Sequence, residues 1–349
     1  MTRRSVFAPL SIVVLLAFCI GFFSAGQAEA AKYNWRLAHE EKDDGFMGSY
    51  AREFKKRLAE KSNGQINLDV YPSGTLGTSE DLVELVQQGA IDFNFADAGH
   101  VGSLVPENQA LLLHYIFPKD WDIVMDVMKN GKFKDVLAKK FAEKNLMALS
   151  TFSEGWQTWT SNKLIRKPAD FKGFKMRTMT SRLIVENYKA YGASPVPTPW
   201  GEVYSGLQLG VLDGQVNCPF FIEEQHIDEV QDYLIFSYCN PFLMTLITNP
   251  QFFEALPADI QKIVYETVEE LLPFSFQWQI EFNEKRLKKM QQRKPNLKVV
   301  YLTQDEVDVF KKLASPMKEV YYDIAGKDGK IFLETLEKDI EDAIKRKKN

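Results

Sequence analysis

The chain has 349 residues, 45% of them hydrophobic and 26% charged, with a formal net charge of −4 at pH 7. That composition excludes a disordered, collagenous or low-complexity protein and supplies enough chain for a large core in about two domains or lobes. The mildly acidic balance offers no basic field for nucleic acid. Three cysteines are too few for a disulfide scaffold.

The first thirty residues have the layout of a removed export signal. Arg3 and Arg4 form a basic start, Ile12 to Phe23 is an apolar run broken only by Gly21, and Ala28-Glu29-Ala30 offers small residues at a cleavage site near Ala30. The run is short for a membrane span, and Phe18 beside Cys19 is too large for a lipoprotein box. The expected location is the periplasm. In that oxidising compartment Cys218 and Cys239 remain, either as buried small side chains or as a disulfide closing a loop worth about 3 kcal/mol.

Asn34 to Ala38 reads as a strand, followed by a polar loop from His39 to Gly45. Gly48 to Lys61 carries Phe54 and Leu58 at helical spacing and stops at Asn63-Gly64. Ile66, Leu68 and Val70 alternate with polar residues as a strand does. Thr78 with Asp81 forms a capping box ahead of a helix that ends by Gly89, and Ile91, Phe93 and Phe95 alternate again. Strand, helix, strand, helix, strand predicts an α/β sandwich with a largely parallel sheet. A second α/β set follows. Leu146 to Phe152 and Phe174 to Thr178 read as strands, Ser181 to Tyr191 as a helix, Ser194 to Thr198 as extended. Glu202 to Leu209 then reads as a short helix and Leu234 to Tyr238 as a strand. Ala258 to about Gln292 is one long helical stretch in which Pro273 is expected to place a kink. At 1.5 Å per residue it spans about 50 Å, enough to cross two lobes. A strand, Lys298 to Leu302, and two helices complete the chain, and the basic tail Lys345 to Lys348 reads as a solvated helix end.

The sequence lacks a P-loop, a dinucleotide-type glycine loop, a nucleophile elbow, a C-x-x-C pair and a zincin motif. The run His39-Glu40-Glu41-Lys42-Asp43-Asp44 has ligands for a hard cation without EF-hand spacing, and reads as a solvated loop on a lobe rim. In Phe174-Lys175-Met176-Arg177, alternation puts Lys175 and Arg177 on one strand face. An arginine held at a strand end presents a planar fork that matches a carboxylate.

Residues 168–219 resemble the central region of the solute-binding proteins of TRAP (tripartite ATP-independent periplasmic) transporters. The matching residues are Pro168 to Arg177, Gly192-Ala193, Pro197-Thr198-Pro199, Glu202-Val203-Tyr204, Leu207-Gln208, Gly210-Val211, Asp213-Gly214-Gln215 and Asn217. Gly64, Pro72, Gly74, Leu76-Gly77, Gly89 to Asp92 and Leu256-Pro257 agree more loosely. The resemblance implies a two-lobed α/β periplasmic binding protein, type II-like, with a ligand cleft between the lobes and a long helix spanning both. On that scheme residues 31–154 and 243–282 form lobe I, and 155–242 with 283–349 form lobe II.

The resemblance also implies roles. Arg177 pairs with the ligand carboxylate, Asn217 donates to it and Trp200 flanks it. The expected ligand-contacting set is Arg177, Asn217, Trp200, Gln157, Trp156, Phe220, Phe46 and Asp97, with no metal and no cofactor. Gln157 stands where many members carry a second arginine, which removes one fixed cation. Gln215 and Cys218 also depart from the usual Glu and Pro around the asparagine. With Trp156, Trp159, Trp200, Phe220 and Phe221 in ligand-adjacent segments, the expected ligand is a monocarboxylate with an apolar or aromatic body. A C4-dicarboxylate or another acid is the alternative. The partners are the ligand and the transporter's membrane subunits, and the protein is read as a monomer. A binding protein serving a sensor or an ABC system, and an exported enzyme using His39, Glu40 and Asp97, are the rival readings.

Overall fold

The computed structural model describes residues 31–348; the expected signal segment lies outside them. Two sheets are present. The first has the order β2-β1-β3-β10-β4 and is built from β1 (Tyr33–Ala38), β2 (Ile66–Tyr71), β3 (Phe93–Asp97), β4 (Met147–Trp156) and β10 (Pro241–Thr248). The second has the order β11-β9-β5-β8-β6-β7. Its strands are β5 (Thr158–Ser161), β6 (Lys175–Thr178), β7 (Ser194–Pro197), β8 (Gly214–Asn217), β9 (Tyr233–Phe236) and β11 (Lys298–Tyr301). In the first sheet β1, β2 and β3 run parallel and β10 antiparallel to both its neighbours. Each sheet, with its helices, makes one lobe.

Local sequence explains the elements that place the cleft. Trp35 and Leu37 of β1 are buried while Asn34 and Arg36 are exposed, the alternation of a one-sided strand. The Thr78–Asp81 capping box starts the helix Ser79–Gln87, and the Asp97 carboxylate caps the single turn Ala98–Val101. Ser181 caps Arg182–Ala190 by accepting from the Ile184 amide. Between β3 and β4 lie a 3-10 stretch, Pro106–Leu112, and the helices Trp121–Asn130 and Phe133–Ala142, none of which the sequence reading assigned.

The chain crosses between lobes where β4 runs through Gln157 into β5, and again where β9 leads to β10. The two crossings are tied by the Gln157 amide, which donates to the Asn240 carbonyl at 3.1 Å. Gly155, just before the crossing, has φ +135, a conformation that L side chains rarely adopt. A Cβ there would lie 2.6 Å from the Asn283 amide nitrogen.

The helix Ala258–Arg293 runs 36 residues and spans both lobes. Its first half buries Ile260, Val264, Val268, Leu271 and Leu272, and Glu270 pairs with Arg57 and Lys61 of the first lobe. Toward its other end Arg293 pairs with Asp228, and Arg286 and Arg293 with Glu223, in the second. Between them, Asn283 donates to the Glu154 carbonyl at 2.7 Å and accepts from the Phe220 amide at 3.1 Å. Pro273 does not end this helix; it lies on the exposed face, where the carbonyl it leaves unpaired can bind water. The break in helical geometry comes instead at Gly326, φ 63 and ψ −151, inside Met317–Lys348.

Residues 317–348 pack mainly against elements that precede β4, Pro106–Leu112, Trp121–Asn130 and Phe133–Ala142, with further contact to Arg182–Ala190. Asp339 accepts from the Phe133 amide, Arg346 pairs with Asp126, Lys347 pairs with Asp120, and the Tyr321 hydroxyl donates to the Glu107 carbonyl. Phe332, Leu333, Leu336 and Ile340 are buried in doing so, which gives the apolar stripe its cover. Lys345 to Lys348 are all exposed, as a solvated helix end requires, with Arg346 and Lys347 in surface ion pairs. Cys218 and Cys239 are both buried free thiols, so the alternative of small buried side chains holds and the disulfide does not form.

Candidate ligand-binding site

Strand β6 places the arginine. Met176 is fully buried, so the period of two turns Arg177 to the other face. Arg177 is itself only 4% exposed. Its Nε donates to the Thr198 carbonyl at 3.0 Å, and its guanidinium carbon sits 5.2 Å from the centre of the Trp200 ring. Nothing else among the described residues hydrogen-bonds the guanidinium, which leaves both terminal nitrogens for an occupant. Burial pulls its pKa down to about 10, against the charges of Glu40 and Asp97, so it remains a cation at neutral pH.

Asn217 ends β8 beside Thr158 of β5. Its Oδ1 accepts from the Cys218 amide at 2.9 Å, which orients the side chain and leaves its two N–H groups as donors. Trp200 begins a 3-10 turn after Pro199 and stacks on Phe221, with ring centres 4.4 Å apart at 13°. Arg177, Asn217, Trp200 and Phe221 line one cavity of about 470 Å³, which the first lobe closes with Glu40, Ser79 and His100. A volume of that order suits a small organic molecule. A further space of about 20 Å³ joins Gln157 to Arg177 and Asn217.

The first-lobe wall is acidic. Glu40 accepts from the Ser79 hydroxyl, and its Oε2 lies 3.5 Å from His100 Nδ1. The same nitrogen contacts Asp97 Oδ2, while Asp97 Oδ1 accepts from the Gly99 and His100 amides. Burial of Glu40 raises its pKa to about 7, against the pull of His100. Burial lowers that of His100, but Asp97 and Glu40 outweigh it and carry the imidazole to about 10. Donor atoms of Glu40, Asp97 and His100 lie within 4.8 Å of one another, the spacing a cation would use. Asp97, however, is already saturated by the imidazole and two backbone N–H groups, so the arrangement is an ion pair beside a carboxylate.

Three aromatic residues of the expected set lie outside the cavity wall, and so does Asp97. Trp156 packs on Trp121, with ring centres 4.9 Å apart, and on Tyr238. Phe220 is fully buried against Phe46 and Phe282, and Phe46 stacks on Trp278 at 4.7 Å. Burial of large rings in the core accounts for all three. Asp97 reaches the site only through His100. The acidic run is not a solvated rim either: His39 and Glu41 are fully buried, and only Lys42, Asp43 and Asp44 are exposed. Met179, Ser79, His100 and Phe242, which line the cavity, were not singled out from sequence.

Two α/β lobes joined by crossing strands, a helix spanning both and a largely apolar cavity with a few charged groups between them define an interlobe solute-binding protein. Residues 37–325 match the family described as "Bacterial extracellular solute-binding protein, family 7", and the chain belongs to that family, the solute-binding proteins of TRAP transporters. It is 34% identical over 338 residues to the ectoine/5-hydroxyectoine-binding periplasmic protein of Ruegeria pomeroyi, covering 97% of this chain and 98% of that one. The solved periplasmic ectoine-binding protein from a TRAP transporter of Halomonas elongata superposes with a TM-score of 0.84 at 33% identity, covering 88% of this chain and 99% of that one. A TRAP solute-binding protein from Desulfovibrio salexigens with bound orotic acid also gives 0.84, at 28% identity, covering 89% and 100%. Among the described residues no helix is long and apolar enough to cross a membrane.

Proposed function

We propose that this TRAP solute-binding protein captures a small zwitterionic acid. Its carboxylate would sit on Arg177 and Asn217, its apolar body against Trp200 and Phe221, and its cationic group at Glu40. Ectoine, a cyclic amidine bearing a carboxylate, is the representative ligand, and the relatives named above support it.

The single observation that carries the reading is that Arg177 and Glu40 line one cavity with no ion pair between them among the described residues. Asp97 and His100 offset each other, so one cation and one anion are left for the occupant. A plain monocarboxylate with an apolar body, the sequence expectation, satisfies Arg177 but leaves Glu40 as an uncompensated buried charge, which is costly. That acid fits only with Glu40 protonated, which its raised pKa makes the second reading. A dicarboxylate would meet no second cation beside Arg177, where Gln157 stands, and on the opposite wall His100 is already flanked by Asp97 and Glu40. Ligand contacts to both lobes favour the closed form in proportion to its differential affinity, and the closed protein hands the solute to the membrane subunits.

The test is calorimetric titration of the purified protein at pH 8 with ectoine, benzoate and succinate. Tight binding of ectoine alone is expected. Preference for benzoate at that pH would establish the plain-acid reading, and preference for succinate would overturn both.

A further inference from the structure

His100 is more than a wall residue. It sits on a single helical turn, Ala98–Val101, whose start is fixed by Asp97, so its ring position is set by its own cap. Acidic groups surround it: Asp97 in contact with Nδ1, Glu40 at 3.5 Å from Nδ1, and Glu80 at 3.7 Å from Nε2. The imidazolium supplies the compensating charge that lets Asp97 stay ionised with almost no exposure. Without it, two carboxylates would face each other across the cavity wall, and the cheaper outcome is a proton on the less saturated one. That one is Glu40, since Asp97 holds two backbone N–H groups.

We propose that His100 is the positioning residue that selects the ligand's charge: held between Asp97 and Glu40, its imidazolium keeps the Glu40 carboxylate ionised, so the cleft takes an acid that also carries a cation. This rests on the zwitterion reading and adds a determinant to it. Every charged neighbour of Glu40 bears on the argument. His100 and Arg177 favour its ionised form, and Asp97 and Glu80 oppose it. On its inner side Glu41 and Glu154 also face it, both buried and pushed well above the usual carboxylate range, first by desolvation and then by neighbouring carboxylates, so they too oppose a charge on Glu40. His100 is thus the nearest cation acting on Glu40 and the one without which its titration must move.

The experiment measures ectoine affinity from pH 5.5 to 9 for wild type, His100→Gln and His100→Lys. A carboxylate and an amidinium hold their charges over that range, so the profile reports the protein. Wild type is expected to lose affinity as pH falls through about 7, where Glu40 takes its proton. In H100Q that midpoint should rise by about one to three pH units, the effect of removing a unit charge some 3–4 Å away in a partly screened site. Ectoine binding at pH 7 should then fall at least ~5-fold while benzoate binding improves. H100K restores a cation and should move the midpoint back toward wild type. H100Q and wild-type profiles of the same shape, offset only in affinity, would assign His100 a merely structural role and overturn the proposal. So would an H100K profile no different from that of H100Q. Failure of wild type to bind ectoine at pH 8 is a separate result and refutes the zwitterion reading itself.

Discussion

Replacing Arg177 by lysine separates the fork from the charge. Arginine carries five N–H donors. In this cleft one of them, on Nε, is committed to the Thr198 carbonyl at 3.0 Å, and the guanidinium plane rests over Trp200. The remaining four lie on the two terminal nitrogens and suit both oxygens of a carboxylate at once. Lysine keeps the charge but can give only one good bond from a mobile ammonium, and it abandons either Thr198 or the ligand. The loss is one charge-assisted hydrogen bond, about 1.5–3 kcal/mol, which is roughly 10- to 150-fold in Kd. Arg177→Ala should cost more, about 3–5 kcal/mol, because the carboxylate is then buried without a counter-charge. Titration calorimetry with ectoine checks both, and the fluorescence of Trp200 gives an independent readout. An Arg177→Lys affinity within twofold of wild type would refute the forked geometry; an unchanged Arg177→Ala would remove Arg177 from the site.

Trp200→Ala should weaken ligand binding by about 2 kcal/mol, the apolar area of one ring face, and calorimetry that shows no loss would place the ligand elsewhere in the cavity. Glu154 has no exposure, and burial with the Glu41 charge holds its pKa well above the usual range. Because the folded value is raised, its contribution is present at low pH and lost as pH rises. Glu154→Gln should therefore gain thermal stability relative to wild type between pH 6 and 9, and parallel melting curves would contradict this. Gly155→Ala adds a Cβ at φ +135 within 2.6 Å of the Asn283 amide and should cost about 2 kcal/mol or more in urea unfolding; a neutral result would show that the crossing relaxes freely. Thiol titration should find Cys218 and Cys239 unreactive when folded and both reactive once denatured. Loss of signal on denaturation without reductant would reveal a disulfide.

Elements set by local chemistry were legible in the sequence, and so was the arginine on its strand. The Thr78–Asp81 box, the Asn63-Gly64 stop and the alternation in β1, β2 and β6 depend on near neighbours alone. Other features depend on distant partners. Phe220 and Phe221 are adjacent in one helix and point about 100° apart, and only the stacking of Phe221 on Trp200 tells which of them reaches the cavity. Trp156 and Gln157 are adjacent at a crossing, and Trp121, 35 residues away, takes the ring. His100 is one of four histidines with nothing remarkable beside it in the chain except Asp97; its weight comes from Glu40, sixty residues earlier. The last helix was readable as a helix, but not as cover for the elements before β4, because that depends on Asp120, Asp126 and Phe133.

The long helix has one more consequence. It is fastened to the first lobe over its opening turns and to the second through Arg286 and Arg293, with Asn283 pinned at the crossing between them. A rod clamped in two bodies cannot stay straight when they turn against each other. Any rotation must bend it, and the most compliant place is where the backbone ladder already lacks a rung, at Pro273. Bending is thus concentrated beside one residue, while the anchored turns on either side keep their contacts.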